Sequence, residues 1–137
     1  MNAGERFFDT NILLYLLSED QIKADIAESI LSEGGMVSVQ VFNEFASVAL
    51  RKLNLTCPEI REILITIEEL CIVAPLTLVT HSLALDMVER HGFAVYDALI
   101  VASALENGCK VLFTEDLQHG LRVERKLAVR NPFIQTA

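Results

Sequence analysis

With 137 residues, 52% of them hydrophobic and 22% charged, the chain is long enough for one domain with a sizeable core and too short for two ordinary ones. That composition excludes intrinsic disorder, and a formal net charge of −8 argues against a polyanion partner unless bound cations offset it. No apolar run approaches the roughly 20 residues of a membrane helix. No signal-peptide core or cleavage pattern opens the chain either, so a cytoplasmic protein that does not engage membranes is expected. Cys57, Cys71 and Cys109 stand far apart without metal-ligand spacing and read as small buried hydrophobes.

Helix and strand signals alternate along the chain. Glu5 to Phe8 reads as a short extended run, and Thr10 to Leu17 as an apolar helix. Ser18-Glu19-Asp20-Gln21 has capping-box spacing ahead of the helical stripe Ile22, Ile26, Ala27, Ile30 and Leu31, which Gly34-Gly35 closes. Met36 to Val39 predicts a strand. Val41, Phe42, Phe45, Val48, Ala49 and Lys52 then fall on one side of a helix.

Thr56-Cys57-Pro58-Glu59 is a second capping box, opening a helix through Ile60, Ile63, Leu64, Ile67 and Cys71. Cys71 to Ala74 predicts a strand ending before Pro75. Leu83, Ala84, Met87, Val88 and His91 mark a helix ended by Gly92, and Ala98 to Leu105 a helix apolar nearly all round, buried in its own core or against a second copy. Lys110 to Thr114 predicts a strand, and Leu127 to Arg130 a late edge strand halted by Pro132. Short apolar strands alternating with amphipathic helices imply a parallel sheet covered on both faces, because parallel strands need crossover connections. The expected fold is a three-layer α/β/α domain spanning residues 1–137. In such sheets functional groups gather beyond the carboxyl ends of the strands.

Four acids fall where that rule points. Asp9 follows the first strand and opens a helix, Asp97 stands at another helix start, and Asp116 ends a late strand. Each of these has an ordinary reading as a cap or turn residue. Glu44 lies within a helix, on the side of Gln40, Ser47 and Arg51 and at the margin of the apolar stripe, so it reads either as a solvated acid or as a group reaching the cleft. Jointly, carboxylates gathered at one sheet edge repel unless a cation joins them, and an oxygen-only set favours Mg²⁺ or Mn²⁺ over zinc.

Phe8-Asp9-Thr10-Asn11, Asn43-Glu44, Tyr96-Asp97-Ala98 and Thr114-Glu115-Asp116 resemble, in order and spacing, the four acidic motifs of PIN-domain ribonucleases. The run from Thr114 to Gly120 and the closing Asn131-Pro132-Phe133 are similar to the VapC-type toxins of toxin–antitoxin pairs, although the segment between Leu121 and Ala128 is more charged than the family pattern. The resemblance implies hydrolysis of RNA phosphodiesters with one or two Mg²⁺ or Mn²⁺ ions, a small antitoxin partner and a homodimer. It implies direct coordination by Asp9 and Asp97, coordination or water orientation by Glu44, and completion of the site by Asp116. Thr10, Asn11 and Thr114 would orient those carboxylates or touch substrate, which competes with their reading as turn and capping residues.

Basic residues offer candidate RNA contacts at Arg51, Lys52, Arg122 and Arg125, although exposed cations are commonly just solvated. From Leu117 to Ala137 four basic residues face one acid, Glu124, so this stretch is a candidate phosphate-facing edge. The three histidines are dispersed and carry no assigned role. Two other functions compete. A dehalogenase-type phosphatase needs Asp-x-Asp where this chain has Asp9-Thr10-Asn11, and a catalytically silent interaction module would have no use for four retained acids.

Overall fold

The computed structural model describes residues 2–134, so Met1 and residues 135–137, the two ends of the expected domain, lie outside the described residues. Strands β1 (Arg6–Phe8), β2 (Gly35–Ser38), β3 (Cys71–Ala74), β4 (Val111–Phe113), β5 (Arg122–Val123) and β6 (Leu127–Arg130) form one sheet in the order β3-β2-β1-β4-β6-β5. All neighbours pair in parallel except β5 with β6. Helices α1 (Thr10–Tyr15), α2 (Gln21–Ser32), α3 (Val39–Lys52), α4 (Cys57–Leu70), α5 (Leu78–His91) and α6 (Val95–Glu106) supply the connections and flank the sheet, giving the α/β/α arrangement the alternation implied. Among the described residues no helix is long and apolar enough to cross a membrane.

The core lies where both faces of the central strands are covered. Phe7 pairs with Leu112 and Phe8 with Phe113 across β1 and β4, and Phe7, Phe8 and Leu112 are wholly buried, as the continuous apolar runs of parallel strands require. Gly35 is needed at the start of β2 because a side chain there would collide: a Cβ would stand 2.5 Å from the Phe8 ring and 2.9 Å from the Arg6 carbonyl oxygen.

Helix α6 is buried from Ala98 through Ala104, packed against α5. Its all-round apolar character is satisfied within one chain and makes no demand for a second copy.

Several boundaries differ from the sequence reading for local reasons. The first helix ends at Tyr15, not Leu17, and Glu5 belongs to a 3-10 turn, Ala3–Glu5. The cap of α2 is Asp20, whose carboxylate accepts from the N–H groups of Ile22 and Lys23, while Ser18 accepts from Asp20 N–H instead of capping the helix. Thr56 caps α4 in the expected box with Glu59. Val39 begins α3 and is not the end of β2, and Lys52 is exposed, off the buried side of that helix. Strand β6 is not an edge, because β5 adds outside it. Cys71 and Cys109 are buried as expected, but Cys57 is exposed at the start of α4.

Candidate functional site

The chain leaves β1 toward β2 and β3 on one side and reaches β4 on the other, so the direction of winding switches between β1 and β4. The crevice outside the carboxyl ends of these two strands is where an open parallel sheet exposes backbone and side chains to a ligand. Asp9 follows β1 and Thr114 follows β4, and the two are tied together at this point. Asp9 N–H donates to the Phe113 carbonyl at 3.0 Å, and the Thr114 hydroxyl donates to Asp9 Oδ2 at 2.7 Å.

Asp9 serves two ends at once. It is the N-cap of α1, with Oδ1 accepting from Thr10 N–H at 2.6 Å, and it is only 4% exposed. Burial pushes its carboxyl up to about 7, against the lowering effect of the bonds from Thr114 and Thr10; the charges of Asp116 and Glu44 add to the rise.

Asn11 and Thr114 organise the rest of the crevice. Asn11 Nδ2 donates to Thr114 Oγ1 at 3.2 Å and to Asp116 Oδ2 at 3.0 Å, while its Oδ1 accepts from Glu115 N–H at 3.3 Å. Thr114 Oγ1 also accepts from Asp116 N–H at 3.0 Å. One turn of α1 thus fixes the turn after β4 from more than a hundred residues away. Thr10, at the start of α1, donates its hydroxyl to Glu44 Oε2 at 2.6 Å and aims the half-buried carboxylate of α3 toward the crevice.

Asp97 arrives from the first turn of α6. The N-cap there is Ala94, and no side chain caps the helix, so the Asp97 carboxylate is not occupied with capping. One carboxylate oxygen from each of Asp9, Asp97 and Asp116 lies within 4.8 Å of the others, which is the spacing of a cation's ligand shell. The acids carry the mark of mutual repulsion. Burial and then the Asp116 charge raise the Asp97 carboxyl. Burial raises that of Glu44 against bonds from Thr10 and Gln40, and the charges of Asp97 and Asp116 raise it further.

The donor set is all oxygen, dense in negative charge and partly dry, which fits a hard divalent cation and offers nothing to a soft one. The four acids and both threonine and asparagine supports singled out from sequence thus meet in one place. The four acids, Thr10 and Asn11 line a cleft of about 500 Å³ whose walls include Arg51 and Lys52, while Thr114 is fully buried. Arg122 and Arg125 do not join it. They border a separate cleft with His91, Glu124 and Lys126, where Glu124 pairs with Arg90 and His91. Sequence reasoning passed over Tyr96, 65% exposed at the wall of the acid cleft, and Glu115, which Tyr15 binds from α1. Tyr96 stands beside a motif acid and was legible; the Tyr15–Glu115 pair spans 100 positions and has no local signal.

A family model described as PIN domain matches residues 6–122. No curated protein matches the chain. Among solved structures, a toxin–antitoxin complex from Klebsiella pneumoniae is 16% identical with a TM-score of 0.70, covering 93% of this chain and 98% of that one. VapC20 of Mycobacterium tuberculosis, described as a sarcin–ricin loop cleaving toxin, is 18% identical with a TM-score of 0.66, covering 81% and 91%. FitAcB from Neisseria gonorrhoeae is 19% identical with a TM-score of 0.64, covering 93% and 98%. At these identities the likeness establishes a shared fold.

Proposed function

This chain belongs to the PIN-domain family, and we propose that it is a Mg²⁺- or Mn²⁺-dependent endoribonuclease, the toxin of a toxin–antitoxin pair. The observation that carries this reading is the convergence of Asp9, Asp97 and Asp116 to within 4.8 Å from three separate elements, with Glu44 held beside them by Thr10. Asp9 and Asp97 ligate one or two ions directly, Asp116 completes the site, and Glu44 either ligates or orients the attacking water. When bound there, the cation supplies a water of lowered pKa and positive charge for the phosphodiester in transition.

The chain's own residues do the rest. Thr114 and Thr10 hold the Asp9 and Glu44 carboxylates through their hydroxyls, and Asn11 holds Asp116, so the ligands are fixed before any ion arrives. Arg51 and Lys52 stand on the cleft wall, where they offset the acidity of the chain toward an incoming RNA backbone.

Kinship of fold with a toxin–antitoxin complex supports a small antitoxin as partner, and a homodimer is the assembly proposed with it. VapC20 is named for cleaving the sarcin–ricin loop; the nuclease class, not that target, is extended to this chain. A purified-chain assay tests the proposal. RNA is cut in Mg²⁺ or Mn²⁺, cutting stops with chelator and returns with added metal, and Asp97→Asn folds but does not cut. Equal cleavage by wild type and Asp97→Asn, or a wild type inert in both metals, would reject it.

A further inference from the structure

The β5–β6 hairpin gathers positive charge that the acid cleft does not use. A hollow of about 440 Å³ lies against it, and every residue lining that hollow is ionisable: His91 at the end of α5, and Arg122, Glu124, Arg125 and Lys126 on the hairpin. Glu124 is already paired. The Arg90 guanidinium donates to its Oε1 and His91 Nε2 lies 3.0 Å from its Oε2, and the bonds to His91 and then Arg90 hold the carboxyl below its ordinary value. Arg122, Arg125 and Lys126 are exposed, and among the described residues none of the three has an ion-pair partner. With Arg90, four cations thus surround one acid in a chain whose formal net charge is −8.

The hairpin is braced in this form. Lys126 N–H closes the turn onto the Val123 carbonyl at 3.0 Å, and Arg122 Nη2 donates to the Arg125 carbonyl at 3.3 Å. Glu124 and Arg125 hold φ of 52° and 59°, a left-handed conformation that Gly or Asn ordinarily fills in such a turn, and the pairing of Glu124 with α5 holds it there. A cationic rim fixed before its ligand arrives suits repeated phosphates, because less side-chain freedom is lost on binding. His91 stands five positions before Tyr96, which lines the acid cleft, so their α-carbons are at most about 18 Å apart. Gly92, Ala94, Val95 and Tyr96 are exposed along that path. We infer that this hollow is a second RNA-binding site, which takes backbone phosphates of the strand being cut at the acids, with Arg122, Arg125 and Lys126 as the phosphate contacts. The inference rests on the ribonuclease reading for the identity of the polyanion.

Binding in chelator reads this site apart from cleavage, since acids without a cation repel phosphate. In fluorescence anisotropy, a labelled single-stranded RNA should bind the full-length chain with an affinity that falls as salt rises. Arg122→Gln, Arg125→Asn and Lys126→Gln together remove three phosphate contacts. At low salt the triple variant should bind about tenfold or more weakly, and its slope of log affinity against log salt should be shallower by about two. Asn tolerates the left-handed backbone at position 125, so circular dichroism should show the fold unchanged. In Mg²⁺ or Mn²⁺ the same variant should cut long RNA with raised KM and unaltered kcat, because it loses anchoring and keeps every acid. Lys126→Glu alone should shift KM and salt slope in the same direction.

A triple variant with the affinity and salt slope of wild type overturns the inference even if RNA is cut. So does a wild type that binds no RNA in chelator at low salt, or a variant whose loss falls on kcat with KM unaltered. Loss of RNA binding in the variant, beside a wild type that cuts nothing in either metal, sustains the inference and sinks the ribonuclease reading instead. Should the triple variant misfold, Lys126→Glu decides by the same readings.

Discussion

Replacing Asp9 with asparagine isolates the energetic cost of keeping a charged ligand in a dry crevice. The Asp9 carboxyl rises from 3.8 to about 7 on folding, chiefly through burial. At about 1.4 kcal/mol for each tenfold change in proton affinity, that is a penalty of roughly 4 kcal/mol on the metal-free fold. The sign follows from proton binding. An acid whose folded value is raised holds its proton longer in the folded state, so the folded form is favoured at low pH. The penalty is absent below the ordinary value of 3.8, grows as pH rises, and is complete above about 7.

The substituted amide carries no charge and escapes that penalty, at a different cost. Its nitrogen would face Thr114 Oγ1, whose lone pairs already accept from Asn11 and from Asp116 N–H. Two donors then point at each other, costing about 1–3 kcal/mol at any pH. In chelator, urea unfolding should therefore find Asp9→Asn less stable than wild type near pH 4 and more stable near pH 8. The difference between the two proteins should swing by roughly 4 kcal/mol across that range. Saturating Mg²⁺ at the higher pH should stabilise wild type and not the variant. Parallel stability curves, with the same gap at both pH values, would refute the claim that burial holds this carboxyl in its raised state.

Other consequences are as direct. Gly35→Ala drives a methyl into the Phe8 ring and the Arg6 carbonyl, and should cost about 1–3 kcal/mol in urea unfolding, as overpacking does. Thr114→Val removes the hydroxyl shared by Asp9, Asn11 and Asp116, and should weaken Mn²⁺ binding by about 10- to 100-fold with the ligands themselves untouched. An unchanged affinity there would mean that the carboxylates need no such support.

Much of this was legible from residue order because the physics is local. Asp9 and Asp97 stand at helix starts, Asp116 follows a strand, and alternation of strand and helix sends all three to one sheet edge. What escaped was either non-local or chemically unannounced. The Asn11–Thr114 bond joins residues 103 apart, and nothing near Asn11 announces it. The β5–β6 hairpin turns through Glu124 and Arg125 at φ of 52° and 59°, without the Gly or Asn that ordinarily marks such a turn. Strand β6 therefore read as an edge. The same turn carries Arg122 and Arg125 to a cleft of their own, apart from the acids. At α2, Ser18 had the spacing of a cap, but Asp20 stood closer to the free N–H groups and took that role.

Manganese uptake, followed by electron paramagnetic resonance on the purified chain, tests the central claim most directly. Wild type should take up one or two ions saturably, and Asp9→Asn and Asp97→Asn should each lose that uptake while remaining folded. A wild type that binds no manganese, or variants that bind it as well as wild type, would contradict the assignment of these acids to a metal.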